Sequence, residues 1–177
     1  MGNSHLKSAI KIGIGAVLML AVVAIAVGSA KVGNKAPDFK LKSLDGKSVT
    51  LEQIRKDPNK KDAERVVLLD FWATWCPPCR EEVGTLQKLH DAYEKKGVAI
   101  VGIALDQGGA TAVKPFVKEH KITYTGLLDP DGTASGAYGV RSIPAMFLID
   151  KKGVVQFTHV GLTEQKVLEK EIKSLLK

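Results

Sequence analysis

Cys76 and Cys79 are the only cysteines in the 177-residue chain, and they stand three apart in Trp75-Cys76-Pro77-Pro78-Cys79. Residues i and i+3 share one face of a helix, so this spacing can bring two sulfurs to bonding distance. The motif follows the apolar run Val66–Trp72 and opens a helical stretch to about Lys96, inside a βαβ pattern. In that context a Cys-x-x-Cys reads as a redox dithiol. Cys76 falls at the helix N-terminus, where unpaired N–H groups and the helix dipole favour a thiolate. Pro77 suits the first turn, because its missing N–H has no partner there. The chemistry this points to is thiol–disulfide exchange. The Cys76 thiolate attacks a substrate disulfide, and Cys79, nearer the core, then attacks Cys76 and releases reduced substrate.

Other uses of two cysteines fit less well. A structural zinc needs two further ligands, and His5, His90, His120 and His159 are scattered. Haem attachment needs a histidine after the second cysteine, where Arg80 stands. A structural disulfide across so short a loop stabilises little. Two rivals stay open. One is a copper-binding carrier using Cys76, Cys79 and His159. The other is a peroxiredoxin-like peroxidase, although Thr74 lies two positions before Cys76 rather than three.

Further residues could serve the dithiol. Asp70 interrupts an apolar strand; a buried lone carboxylate is costly, so its pKa should rise and it can move protons. Glu82 is three residues past Cys79, hence on the same helix face, whereas Glu81 points elsewhere. Pro144 precedes a strand, where a proline withholds no ladder hydrogen bond. Trp75 and Trp72 flank the motif in sequence, and Trp72 is equally suited to core packing.

The segment Asp70-Phe71-Trp72-Ala73-Thr74-Trp75-Cys76-Pro77-Pro78-Cys79 resembles the active-site segment of thioredoxin-fold proteins. Across residues 36–177 the chain is most similar to the membrane-anchored TlpA/ResA-like thiol–disulfide oxidoreductases of bacteria. Lys35-Ala36-Pro37-Asp38-Phe39 resembles their opening segment. Leu128–Gly132 and Ala137–Val140 resemble their insertion between the thioredoxin halves, and Ile143–Asp150 their cis-proline segment. The resemblance implies a thioredoxin-like α/β fold with an N-terminal β-hairpin and a central αβ insertion. It implies a cis Ile143-Pro144 bond facing the dithiol, with the Ile143 backbone free to pair with a substrate chain. It implies that Asp70 helps deprotonate Cys79 and that Glu82 lies near the dithiol. Together with Trp75 and Pro77 these form the expected site. The implied function is reduction of protein disulfides, including apocytochrome c during haem attachment, with a DsbD/CcdA-type transmembrane electron carrier as donor. No cofactor is expected beyond the Cys76–Cys79 couple, and no metal. Two departures stand out: Gly84 replaces the family's helix-kinking proline, and the loop at 55–65 is longer than usual.

The elements that would position these residues can be read along the chain. Phe39–Lys42 and Ser48–Leu51 alternate around Asp45-Gly46, which predicts a β-hairpin. Residues 55–65 are charge-dense and contain Pro58, which predicts a surface loop. Val66–Trp72 and Val98–Leu105 read as buried strands, Thr111–His120 as a helix and Tyr124–Leu128 as a short strand. A turn at Asp129–Gly132 leads into a short helix to about Tyr138. Ala145–Ile149 and Val154–Thr158 form a hairpin, and Thr163–Leu176 closes the chain as a helix with Thr163 as its N-cap. The order βαβαβαββα predicts a sheet with helices on both faces.

The N-terminus is different in kind. From Ile12 to Val27 no residue carries a polar side chain, and Gly28-Ser29-Ala30 extends the stretch. Lys7 and Lys11 precede it, and no acid occurs before Asp38. This predicts a signal anchor or a cleaved signal peptide over residues 1–30, a tether at 31–35 and the thioredoxin-like domain at 36–177. The lysines place the N-terminus in the cytoplasm and the domain outside the bacterial cytoplasmic membrane, in the periplasm or at the cell surface. Two of the +7 excess charges are thus a topology signal. The rest are spread without an aromatic–basic stripe, so nucleic acid is not an expected partner.

Overall fold

The computed structural model describes residues 30–61 and 63–177. The apolar stretch expected to anchor the chain lies outside the described residues. Among those described, no helix is long and apolar enough to cross a membrane.

A seven-stranded mixed sheet forms the centre: β1 (Lys40–Ser43), β2 (Ser48–Thr50), β3 (Val66–Trp72), β4 (Val98–Ala104), β5 (Thr125–Leu128), β6 (Ala145–Ile149) and β7 (Val155–Val160). Their order across the sheet is β2-β1-β5-β4-β3-β6-β7. The β3–β4 and β4–β5 pairs are parallel and the others antiparallel. Every residue of β3 and β4 is buried, as parallel strands covered on both faces require. Because side chains alternate, Leu68, Asp70 and Trp72 face one layer and Val67, Leu69 and Phe71 the other.

Among the described residues, five helices cover the two faces: α1 (Leu51–Arg55), α2 (Pro77–Tyr93), α3 (Gly109–Glu119), α4 (Thr133–Tyr138) and α5 (Gln165–Leu175). Leu68 and Trp72 pack with Leu86 of α2, Phe116 of α3 and Ile172 of α5. On the opposite face Phe71 packs with Ile54 of α1 and with Ala134 and Tyr138 of α4. The helix carrying the dithiol runs unbroken past the exposed Gly84 and tightens into a 3-10 turn, Glu94–Lys96. It ends at Gly97, whose φ of 89° suits a residue without a Cβ.

Two local expectations need correction, at Leu51 and at Thr163, while the surface loop at 55–65 is present. Leu51 does not continue the hairpin strand. Thr50 caps α1 instead, exchanging capping-box hydrogen bonds with Gln53. The 55–65 segment is a loop closed at its base. Lys56 bridges to Glu64, and the Arg65 guanidinium donates to the Ile54 carbonyl. Thr163 is not the N-cap of α5; Glu164 holds that position without a side-chain cap bond, because Thr163 is engaged elsewhere. Ahead of the first strand, Gly33 donates to Val155, Ala36 donates to Gly153, and Val155 donates to Asn34. Residues 33–36, read from sequence as tether and opening segment, run against the hairpin leading into β7.

Candidate functional site

The sulfurs of Cys76 and Cys79 form a disulfide. Cys76 is the N-cap of α2 and its sulfur accepts the Cys79 backbone N–H at 3.3 Å. Pro77 occupies the first turn, as its lack of an N–H suggests. The two cysteines are 3% and 2% exposed, so burial alone does not tell them apart. Position does: Cys76 borders Trp75, which is 67% exposed, and Cys79 lies inside the first helical turn.

The Ile143-Pro144 bond is cis, and the Ile143 carbonyl oxygen lies 3.9 Å from the Cys76 sulfur. Trp75, Leu105, Ser135, Val140, Arg141 and Ile143 line a shallow groove of about 220 Å³ beside the dithiol. Trp72, by contrast, is core, with its ring centroid 5.1 Å from that of Phe116.

Two carboxylates are buried in the layer that holds the dithiol helix. Asp70 on β3 is 3% exposed, and Glu82, one turn of α2 past Cys79, is 2% exposed. Burial pushes Asp70 well above the ordinary carboxylate range, and the neighbouring Glu82 pushes it further. Burial also raises Glu82 to about 7, opposed by the Thr163 N–H and by His159. Thr163 donates to Glu82 Oε1 at 3.0 Å, whereas Glu82 Oε2 and Asp70 Oδ1 are buried without a partner. Both therefore keep their protons to higher pH than ordinary carboxyl groups. Glu81 is exposed.

Several site-forming residues escaped the sequence. Asp106, buried at the end of β4, accepts both the Thr74 backbone N–H and the Thr74 hydroxyl. It thereby fixes the turn that presents Trp75 and Cys76. Arg80 adds a bond to the Thr74 carbonyl at 3.1 Å while its guanidinium lies over Phe116. An acid just after a buried strand was the only available hint of Asp106. Asp129 accepts from Ala134 and Ser135 and so caps α4.

The same contacts weigh against the two rivals. His159 Nε2 lies 2.8 Å from Glu171 Oε2. Among the described residues no three His, Cys, Asp or Glu side chains gather as a metal site. The copper reading thus lacks its third ligand. The Thr74 hydroxyl serves Asp106 rather than the cysteine, which removes the group a peroxidase reading would use.

A thioredoxin-like sheet presenting a helix-capping Cys-x-x-Cys against a cis-proline loop defines a thiol–disulfide oxidoreductase. Comparison with known proteins agrees: the AhpC/TSA family matches residues 32–158, and the chain belongs to it. It is 36% identical over 141 residues to thioredoxin-like protein YneN of Bacillus subtilis, covering 79% of this chain and 78% of that one. It is 32% identical over 145 residues to thiol-disulfide oxidoreductase ResA of Bacillus thuringiensis, covering 82% and 79%. Among solved structures, StoA of Bacillus subtilis aligns with a TM-score of 0.61 and 28% identity over 76% of this chain and 96% of that one. A Chlorobium tepidum protein described as thiol:disulfide interchange protein DsbE aligns at 0.75 and 34%, over 84% and 100%.

Proposed function

We propose that this oxidoreductase works as a reductase of protein disulfides outside the bacterial cytoplasmic membrane. The observation that carries the direction is the pair of carboxylates buried in the same layer as Cys76 and Cys79. A strongly stabilised Cys76 thiolate favours the reduced state and makes an oxidant; negative charge nearby opposes it and makes a reductant. Here the helix N-terminus favours the thiolate while Asp70 and Glu82, once ionised, oppose it.

The reaction then runs as one exchange. Cys76 thiolate attacks a substrate sulfur, and one substrate sulfur leaves as a thiolate. Cys79 gives its proton to the Asp70–Glu82 pair and attacks the Cys76 sulfur. The second substrate thiol is released, protonated at the expense of the pair, and the protein is left as the Cys76–Cys79 disulfide. Ile143 pairs with the substrate backbone, and Trp75, Pro77 and Pro144 shape the surface on which it lies. A DsbD/CcdA-type transmembrane carrier returns two electrons. The similarity to ResA supports apocytochrome c as one substrate. The apolar stretch at 12–30, with Lys7 and Lys11 before it, supports an anchor or signal that delivers residues 36–177 as one domain outside the cytoplasm.

Insulin reduction by the soluble domain tests this reading. Turnover is expected in the wild type and lost in Cys76→Ser, with a couple nearer thioredoxin's roughly −270 mV than DsbA's roughly −120 mV. A potential on the oxidising side overturns the direction, and peroxide consumption without insulin turnover overturns the reaction class.

A further inference from the structure

Tyr124 ends the connection between α3 and β5 and lies in the layer that holds Asp70 and the dithiol helix. It is buried, and its hydroxyl has no hydrogen-bond partner. A phenylalanine would fill this place without that cost, since a buried hydroxyl left unpaired loses its hydration with nothing in return. The ring occupies a prepared space. Gly102 is the β4 register partner of Asp70. A Cβ on Gly102 would meet Tyr124 Cε2 at 3.2 Å and Trp72 Nε1 at 2.9 Å. A missing side chain beside Asp70 therefore admits the phenol.

Asp70 Oδ1 and Glu82 Oε2 are buried and unpaired in the same layer. Burial and then these two carboxylates push the Tyr124 phenol far above its ordinary range, so it stays neutral and can only serve as a proton-bearing group. The other titratable neighbour is His90 of α2. Its ring meets Tyr124 edge-on at 6.3 Å, its Nδ1 also lacks a partner, and its Nε2 lies 3.6 Å from Glu94. It is the two acids, however, that bear electrostatically on the phenol.

We propose that Tyr124 is a positioning residue of the exchange reaction: its hydroxyl, unpartnered in this disulfide form, donates to the Asp70–Glu82 pair once one of these carboxylates ionises, and favours that ionised form as the acceptor of the Cys79 proton. The inference rests on the dithiol reading and adds the group that prepares its base. A donor to the charged form of a carboxylate favours that form. Without it the pair holds its proton to higher pH and Cys79 is deprotonated less readily. The step is otherwise unchanged: the Cys79 S–H proton moves to the carboxylate, the Cys79–Cys76 bond forms and the Cys76–substrate bond breaks.

The test uses the reduced protein and an excess-free chromogenic aromatic disulfide. The first thiol released reports attack by Cys76 and the second reports resolution by Cys79. Tyr124→Phe keeps the ring and removes only an oxygen that has no partner in the disulfide form, so the oxidised variant is expected to fold with unchanged or higher stability. The wild type should show two phases. In Y124F the first should be preserved. The second should have its pH midpoint moved up by at least half a unit, be at least threefold slower at pH 6 and converge with wild type at pH 9. An unmoved midpoint, or a hydroxyl that instead serves His90 and changes only stability, overturns the proposal while leaving the dithiol reading intact. A wild type that releases no second thiol overturns the dithiol reading itself.

Discussion

Thr163 donates its backbone N–H to Glu82 Oε1 at 3.0 Å, tying the loop before α5 to the helix that carries the dithiol. The same loop is fastened to the cis-proline segment, since Gly161 donates to the Pro144 carbonyl at 2.8 Å. A buried acid of α2 and the substrate-facing loop are therefore held by one short stretch, residues 161–163. Glu82 is fixed in place by a neutral donor rather than by a cation, which is why burial still governs its proton affinity.

Glu82→Gln should therefore stabilise the protein at alkaline pH. The folded pKa is raised from 4.5 to about 7, so the folded state binds this proton more tightly than the unfolded chain. Stability from this group is fully present below pH 4.5 and is lost as pH rises through about 7. Glutamine is neutral throughout and can still accept from Thr163. The expected gain is about 1–2 kcal/mol at pH 8, below the unscreened value, and none at pH 4.5. Denaturant melts at the two pH values check it, and equal effects at both would refute it.

Asp70→Asn removes the more strongly perturbed acid while keeping its shape. Attack by Cys76 needs no proton acceptor at Asp70, so the first thiol release should not slow, and loss of a charge that opposes the Cys76 thiolate should if anything quicken it. Resolution by Cys79 should slow by roughly a hundredfold at pH 7, the lower end for loss of a general base. Two-phase thiol release separates these effects. Equal slowing of both phases would show that Asp70 supports the site only through structure.

Asp106→Ala tests the brace on the active-site turn. It strands the Thr74 N–H and hydroxyl, and an unsatisfied buried donor costs about 1–3 kcal/mol. Stability should fall by about that amount, and Cys76 should be alkylated at a different rate in the reduced protein because its turn is no longer held. Urea unfolding and iodoacetamide kinetics measure the two. A stable variant with unaltered kinetics would show that Arg80 holds the turn alone.

How much of this was legible depends on whether the signal is local. Val66–Trp72, the helix from Pro77 and the hairpin at Asp150–Gly153 were readable because each carries its period or turn chemistry within a few residues. The α1 helix was missed although Thr50-Leu51-Glu52-Gln53 spells a capping box; alternation over Ser48–Leu51 drew the strand one residue too far. The placement of β5 beside β1 was not readable, since that pairing joins segments far apart in sequence, whereas β4 and β5 are successive strands of one βαβ unit. The same limit explains the site. Cys76, Cys79 and Glu82 lie in one helix and could be placed by spacing, and Asp70 stood out as an acid in an apolar run. Asp106, Thr163 and Tyr124 act across the fold, through contacts that no spacing encodes.

Trp75 offers the clearest separation of binding from chemistry. Its indole is 67% exposed beside buried Cys76 and forms one wall of the groove shared with Val140 and Ile143. It supports nothing in the core, so removing it should cost little stability. An exposed aromatic at such an edge contributes through the partner it covers, and truncating one commonly costs about 1–2 kcal/mol of binding. Trp75→Ala should therefore raise KM for a protein disulfide about tenfold with kcat nearly unchanged. The redox potential should stay put, because the helix N-terminus, Asp70 and Glu82 are untouched. For a small aromatic disulfide, too short to reach across the groove, the variant should match wild type. A shifted potential would instead place Trp75 among the groups that tune the Cys76 thiolate.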